Sequence, residues 1–204
     1  MARRREQRRA AILAAAREFA EAEGWASVTT RRLADAIDYT QPVIYTHFAS
    51  MDALIDAVAV EGFGELAQHV ARARASAPDA TQALEAASRA YLSYAEAHPA
   101  IYDAMFVRGT GLAFADEWTA PKLMAAFSEL RATVQPFTPH PDTLAEVLWA
   151  SLHGLALLQR TNRIPGNGEQ RLAALLALIV TRPGRLRDRP PESDASDPEE
   201  HPRV

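Results

Sequence analysis

Residues 28–48 read VTTRRLADAIDYTQPVIYTHF and contain two short apolar patterns with helical spacing. The patterns predict one helix over residues 31–37 and a second over residues 41–47. A threonine precedes each segment, and a threonine hydroxyl commonly caps the first turn of a helix. Asp38 and Tyr39 leave room only for a tight turn between the two helices. The stretch therefore predicts a compact pair of helices joined as in a helix-turn-helix.

A longer helix, predicted over residues 6–23 and ended by a glycine, precedes this pair. The apolar residues expected to hold the three helices together are Phe19, Val28, Leu33, Ala34, Ile37, Val43, Ile44 and Phe48. A pair braced in this way can place its second helix in the major groove of DNA. Gln41 and Thr46 have side chains that can bond to base edges. Tyr45 and His47 can reach phosphates or bases.

The net charge of −4 is spread unevenly along the chain. Residues 1–9 contain five arginines and one glutamate, residues 1–50 carry +2, and the remainder carries −6. A basic first quarter on an acidic body is typical of a small module that contacts phosphates. The first nine residues, with Arg3, Arg4 and Arg5, are therefore predicted to form an arm on the phosphates or in the minor groove.

Helical spacing continues almost to the end of the chain, and no segment alternates with the period of a β-strand. The further helices are predicted over residues 51–74, 80–97, 99–108, 119–134, 142–162 and 168–181. The predicted fold class is all-α, with about nine helices. Residues 1–50 would form the helix-turn-helix domain, 51–75 a connecting helix, and 76–182 a second helical domain. Residues 183–204, rich in proline and charge, would form a disordered tail.

Gly62 and Gly64 lie inside the connecting helix, where each glycine costs roughly 0.5–1 kcal/mol relative to alanine. Two interpretations fit this pair. A neighbouring helix could approach so closely that a methyl group would block it. Alternatively, the glycines could soften the helix, so that the DNA-binding unit can swing. The sequence leaves both open.

Several classes of protein are disfavoured by what the sequence lacks. No run of eighteen apolar residues predicts a membrane span, and no apolar signal core follows the N-terminus. The absence of cysteine excludes disulfides and thiolate metal sites, and fits a cytoplasmic protein. No nucleophile elbow, phosphate-binding glycine loop or His-Glu-x-x-His motif indicates an enzyme. We therefore expect no catalysis, metal, cofactor or membrane partner.

The helix-turn-helix resembles the DNA-binding domain of the TetR family of bacterial transcription regulators over roughly residues 8–60. The shared features are a threonine-rich start of the second helix, a Ser/Thr cap on the third, and a Tyr-x-x-Phe ending. The resemblance implies that Tyr45 and His47 meet phosphates, while threonines and Gln41 position or read the operator. The predicted DNA-binding residues are Arg3, Arg4, Arg5, Thr29, Thr30, Arg31, Thr40, Gln41, Pro42, Tyr45, Thr46 and His47.

Two positions depart from the family pattern. The turn between the second and third helices usually carries glycine, and Asp38 stands there; aspartate can adopt positive φ at modest cost. The first turn of the fourth helix usually offers a lysine to a phosphate, and Met51 stands there. A helical adaptor that kept the fold without binding DNA is therefore an alternative, which a gel-shift assay would separate from a DNA-binding protein.

Trp149, His153 and Gly154 are similar to a subgroup of TetR C-terminal domains, and residues 98–106 look like the same subgroup. The resemblance implies a small-molecule pocket and dimerisation through the last two long helices. The residues predicted to bind the ligand are Tyr91, Tyr94, Tyr102, Met105, Phe106, Phe127, Trp149 and His153. The alternative for the Trp149 and His153 pair is a core tryptophan beside a hydrogen-bonded histidine. Two apolar stripes form the predicted dimer interface: Leu144, Leu148, Leu155, Leu158, Leu172, Leu175, Leu176 and Ile179.

Together, these resemblances imply a ligand-responsive repressor that binds a palindromic operator as a homodimer. Two-fold symmetry would place the two recognition helices about 34–36 Å apart, which matches half-sites one helical turn apart. The implied partners are double-stranded operator DNA, a second copy of the chain, and a small, largely apolar or aromatic effector. The identity of the effector, the operator sequence, and the choice between repression and activation stay open.

Overall fold

The computed structural model describes residues 2–108, 121–164 and 168–181. In this part of the chain the fold is all-α, as predicted, and contains nine α-helices and two short 3-10 turns. The helices are α1 (Ala2–Glu23), α2 (Thr30–Ala36), α3 (Gln41–His47), α4 (Met51–Ala75), α5 (Ala80–Ala97), α6 (Pro99–Phe106), α7 (Pro121–Val134), α8 (Pro141–Arg160) and α9 (Gly168–Val180). The predicted disordered tail, residues 183–204, lies outside the described residues.

The N-terminus differs most from the prediction. Helix α1 begins at Ala2 rather than near Glu6, so Arg3, Arg4 and Arg5 belong to helical turns. The predicted start of α1 is therefore wrong. The basic arm is helical, and its contact with phosphates or the minor groove stays a prediction. Alanine, arginine, glutamine and glutamate all favour helix, and no glycine or proline interrupts them. The arginines extend α1 as a rigid, exposed continuation of the helix.

The first three helices share a small apolar core whose buried members include Ile12, Leu13, Ala16, Ala20, Leu33, Ala34 and Ile44. The Thr29 hydroxyl accepts a hydrogen bond from the backbone N–H of Arg32 at 3.2 Å, which confirms a threonine cap on α2. Thr40 makes no such bond at the start of α3. Pro42 has no N–H to offer, and the Val43 N–H bonds to the backbone oxygen of Thr40 at 2.9 Å. The predicted side-chain cap on α3 is therefore wrong.

The turn between α2 and α3 depends on one residue in the left-handed region. Asp38 has a φ of 56°, which confirms the expectation that aspartate can adopt positive φ at this position. Aspartate tolerates this region better than most residues, because its short polar side chain can bond locally. The departure at this position therefore leaves the geometry of the turn intact.

Helix α4 is the central element of the second domain and packs against α5, α6 and α7. A Cβ atom on Gly62 would lie 2.7 Å from Ile101 Cγ2 and 2.8 Å from Met105 Sδ, both on α6. A Cβ atom on Gly64 would meet only the flexible side chain of Lys122, at 2.9 Å from its Cδ. Close approach of a neighbouring helix therefore accounts for Gly62, and a softened helix is not needed to explain it.

The C-terminal half of α1 is tied to the second domain by polar contacts. Arg17 Nη2 donates to Glu65 Oε2 on α4 at 2.6 Å. The Glu21 carboxylate accepts hydrogen bonds from two backbone N–H groups in the first turn of α6, at 3.1 and 3.0 Å. Trp25 Nε1 donates to the backbone oxygen of Ala100 on the same helix at 2.8 Å. The DNA-binding unit is therefore anchored to α4 and α6.

Candidate nucleic-acid interface and ligand pocket

Helix α3 has one apolar and one polar face. Ile44 is buried, as is Phe48 immediately after the helix. Tyr45 leaves 55% of its surface exposed, and Gln41 and Thr46 are also exposed. Because the apolar face alone holds the helix on the protein, the polar face is free to contact another molecule. Its amide, hydroxyl and phenol groups suit base edges and phosphates.

Two hydroxyl groups are already engaged beside this polar face. The Thr30 hydroxyl on α2 lies 3.4 Å from Gln41 Oε1, a contact between the two helices of the motif. The Thr46 hydroxyl donates to the backbone oxygen of Val43 at 2.7 Å. Its lone pairs stay available to accept from a base amino group. These contacts orient the side chains before any DNA is bound.

Arginines at the start of α1 converge on the C-terminal end of α3. Burial lowers the pKa of His47, and the positive charges of Arg5, Arg8 and Arg9 lower it further. Arg8 Nε donates to the Tyr39 hydroxyl at 3.2 Å, and its guanidinium carbon lies 5.1 Å from the centre of the ring. Arg5, Arg8, Arg9, Tyr39 and His47 are here called the basic surface; the arginines lie close enough to His47, at the end of α3, for their charges to lower its pKa.

The other predicted DNA-binding residues lie on the same unit and are largely exposed: Arg3, Arg4, Thr29, Thr30, Arg31, Thr40 and Pro42. Thr30 and His47 are half-buried, and Thr29 also serves as a cap. Met51, at the position where the family usually has lysine, is half-buried against the apolar cluster. The lost charge contact is therefore replaced by packing, and arginines of the basic surface supply positive charge beside α3.

An apolar pocket of about 400 Å³ lies among α4, α5, α6, α7 and α8. It is lined by Phe63, Leu66, Val70, Tyr91, Phe106, Leu123, Met124, Ala126, Phe127, Ser128, Leu130, Glu146 and Trp149. Its volume lies in the range of small-molecule sites, and its wall combines aromatic rings with few polar groups, as such sites usually do.

The pocket contains half of the residues predicted to bind a ligand: Tyr91, Phe106, Phe127 and Trp149. The other half does not line it: Tyr94, Tyr102, Met105 and His153. Tyr94 donates to Glu65 Oε2 at 3.2 Å, and Met105 is buried against Gly62. The prediction did not include the α4 wall or Glu146. Glu146 lies one turn before Trp149 on α8, so helical spacing could have indicated that both line the pocket.

A chain of hydrogen bonds runs behind the pocket. The Tyr91 hydroxyl lies 2.9 Å from the Tyr102 hydroxyl, which lies 2.8 Å from His153 Nδ1. Burial raises the pKa of Tyr91, and raises the pKa of Tyr102 to about 12. Burial, and secondarily the charge of Arg160, lowers the pKa of His153. The three groups are therefore neutral near pH 7, and His153 matches the alternative of a hydrogen-bonded histidine.

The predicted dimer stripes on α8 and α9 face largely inward. Four of their members are buried within the protomer: Leu148, Leu172, Leu176 and Ile179. Leu144, Leu155 and Leu175 are half-buried. Leu158 is exposed, with 41% of its surface accessible. The buried leucines and isoleucine have no surface to offer a partner, so their assignment to an interface is corrected. The apolar side chains that these helices do expose are Val147 at 53% and Leu178 at 65%, with Leu158 and Val180.

A second cleft, of about 850 Å³, lies among α5, α8 and α9. Its wall is more polar, and the Arg89–Glu169 ion pair contributes both of its partners to that wall. None of the predicted ligand-binding residues lines it. The apolar pocket is the smaller of the two cavities, but its composition is closer to that of a small-molecule site.

Two further features of the described residues bear on the type of protein. No single helix among them is both long and apolar enough to cross a membrane; α3 and α4 meet the criterion only jointly, with a 57° bend between them. No group of three or more histidine, aspartate or glutamate residues in the same part of the chain is arranged to hold a metal ion. The fold and the two candidate sites define a helix-turn-helix protein with an attached helical domain.

Comparisons with known proteins agree with this class. Residues 12–58 match the model of bacterial regulatory proteins of the tetR family, and residues 84–182 match the tetracyclin repressor-like C-terminal domain. An uncharacterized HTH-type transcriptional regulator of Mycobacterium tuberculosis is 30% identical over 155 residues, which cover 75% of this chain and 70% of the relative. The chain therefore belongs to the TetR family of DNA-binding transcriptional regulators.

Solved structures share the fold. A TetR-family transcriptional regulator from Pectobacterium atrosepticum superposes with a TM-score of 0.69 at 22% identity, covering 90% of this chain and 100% of that one. RolR in complex with resorcinol superposes with a TM-score of 0.63 at 16% identity, covering 88% and 90% of the two chains. At these identities the likeness extends to the fold alone.

Proposed function

We propose that this regulator is a ligand-responsive repressor that binds a palindromic operator in the cytoplasm as a homodimer. The observation that carries the DNA-binding part is the position of the basic surface beside the exposed polar face of α3. Phosphates on either side of the major groove would meet arginines while Gln41 and Thr46 meet base edges. Tyr45 would contact a phosphate from the same face.

The exposed apolar side chains of α8 and α9 support dimerisation. Val147, Leu158 and Leu178 are large apolar side chains, 53%, 41% and 65% exposed, that a second copy of the chain could bury. Gly154, on the same helix as Val147, has no atom within 4 Å of the position of an added Cβ. A second copy could therefore approach the backbone of α8 closely. A stable two-fold contact of this kind would bury on the order of 2,000 Å² or more.

The apolar pocket supports a response to a ligand. Its walls include α4 and α6, and these are the two helices to which α1 is anchored through Arg17, Glu21 and Trp25. A ligand that binds better to one spacing of these helices would shift the protein towards that spacing. Operator affinity would fall by the same coupling free energy. RolR, which shares the fold, has resorcinol as its ligand, a molecule small enough for a pocket of this size.

A gel-shift titration on DNA from the region upstream of the protein's own gene tests the proposal. We expect a specific complex whose log affinity falls with log salt at a slope of about −4 to −8, because several phosphates are neutralised per dimer. Deletion of the gene should raise expression from that promoter if the regulator represses. A protein that binds no upstream fragment better than unrelated DNA would favour the helical adaptor instead.

A further inference from the structure

Five aromatic rings surround the apolar pocket: Phe63, Tyr91, Phe106, Phe127 and Trp149. The ring centres of Phe63 and Phe106 lie 5.1 Å apart, and that of Trp149 lies 6.0 Å from Phe106 and 6.5 Å from Phe127. Each aromatic face carries a partial negative charge, and tryptophan attracts cations most strongly. The pocket therefore offers a bound molecule a negative π surface from several helices.

The pocket has one charged residue in its wall, and its charge is negative. Glu146 lies one turn before Trp149 on α8, so both side chains point to the same side of the helix. No ion pair joins Glu146 to another described residue. Glu146 is exposed, so its carboxylate lies where the pocket meets solvent; there it would attract a positive charge and repel a negative one, more weakly than a buried carboxylate would.

The basic residues near this region lie outside the pocket wall: Lys122 packs against Gly64, and three arginines are in ion pairs. Arg74 pairs with Glu129 at 2.8 Å, Arg131 with Asp142 at 2.6 Å, and Arg108 with Asp103 at 3.6 Å. His153, behind the aromatic wall, is held in its neutral form near pH 7 because burial lowers its pKa. No described basic residue lines the pocket to bind an anion.

We propose that the effector of this pocket is a lipophilic cation, an amine or quaternary ammonium on an apolar or aromatic body. The inference rests on the proposed ligand response. The apolar body would lie against Leu66, Val70 and Leu130, and the positive centre between Trp149 and the Glu146 carboxylate. A carboxylate or phosphate ester of the same shape would find no basic partner and would lose its hydration without compensation.

Three probes of the same shape and different charge test this proposal on the full-length protein. They are the trimethyl(2-phenylethyl)ammonium ion, its uncharged isostere 3,3-dimethyl-1-phenylbutane, and 4-phenylbutanoate. Binding would be followed by quenching of tryptophan fluorescence and, independently, by the rise in Tm. We expect the cation to bind about tenfold more tightly than the isostere, through cation–π and carboxylate contacts. The anion should bind more weakly than both.

Two charge-matched variants assign the effect to the pocket. Glu146→Gln should reduce the advantage of the cation over the isostere about three- to tenfold and leave the affinity of the isostere unchanged. Glu18→Gln removes the same charge from the exposed side of α1 and should change neither affinity, since salt screens charges at that distance. Equal loss in both variants would mean a general charge effect and would overturn the proposal.

The remaining outcomes separate this inference from the proposed function. If the isostere or the anion binds as tightly as the cation, the ligand response stands and the preference for a cation is wrong. If none of the three probes binds up to millimolar concentration, the pocket is no ligand site, and both the inference and the proposed response fail. Operator binding is measured without any probe and is unaffected by either result.

Discussion

Helix α3 and helix α8 use their side chains in contrasting ways. On α3, Ile44 alone is buried, and the exposed positions carry the side chains proposed to contact DNA. On α8, Leu148 and Leu152 fill the core, Trp149 lines the pocket, and Val147 faces outward. The role of a short helix held by one face follows from local sequence. The role of a helix with three different neighbours depends on which neighbour each face meets.

The largest expected effect comes from the outward face of α8 and α9. Val147→Glu combined with Leu178→Glu should yield a folded monomer, because both side chains are exposed and two charges cannot be buried against a second copy. Operator affinity should fall by at least about a hundredfold, since the two half-sites would no longer be bound together. Sedimentation and gel-shift titration measure the two effects.

A matched control keeps this result specific. Val107→Glu places the same charge on another exposed position, 51% accessible, immediately after α6, and should leave the dimer intact. A dimer that persists in the Val147 and Leu178 double variant would move the interface to another surface. The outward face of α8 would then have no role in dimerisation.

The two glycines of α4 should respond in opposite directions to alanine. Gly62→Ala should lower the free energy of unfolding by about 1–3 kcal/mol, because the new methyl group would clash with Ile101 and Met105. Gly64→Ala should raise it by roughly 0.5–1 kcal/mol, because Lys122 can move aside and the helix gains propensity. Denaturant unfolding measures both, and stabilisation by Gly62→Ala would revive the softened-helix interpretation.

The threonines that precede α2 and α3 form a pair with a smaller expected difference. Thr29→Ala should cost about 1 kcal/mol of stability, because its hydroxyl caps α2. Thr40→Ala should stay within about 0.5 kcal/mol of the parent protein, because its hydroxyl caps nothing. Equal losses in the two variants would show that Thr40 does cap α3 in solution.

Local patterns predicted the DNA-binding unit well. The helix-turn-helix, a threonine cap on α2 and the positive φ of Asp38 depend on residues within a few positions of one another, although the sequence did not single out Thr29 from Thr30 as the cap. Thr40 was the exception. Pro42 has no backbone N–H, and the Val43 N–H bonds to the backbone oxygen of Thr40 rather than to its hydroxyl. The start of α1 was mispredicted as well, because good helix-forming residues continue the helix back to Ala2.

The second domain was less predictable because its sites combine several helices. Spacing on α8 indicated an apolar stripe. It could not show whether a given side chain faces the core, as Leu148 does, or faces outward, as Val147 does. The pocket needed Phe63 from α4, which is far from Trp149 in sequence. Tyr102 and His153 were both predicted to bind the ligand, but they form a hydrogen bond to each other and do not line the pocket.

The most direct test of the account is the operator affinity of the Tyr45→Ala, His47→Ala double variant, measured by fluorescence anisotropy on the upstream DNA. We expect at least a tenfold loss of affinity with little change in Tm, since Tyr45 is exposed and His47 is only half-buried. His140→Ala, an exposed histidine of the second domain, is the control and should bind as the parent does. Parental affinity in the double variant would contradict the claim that the polar face of α3 binds DNA.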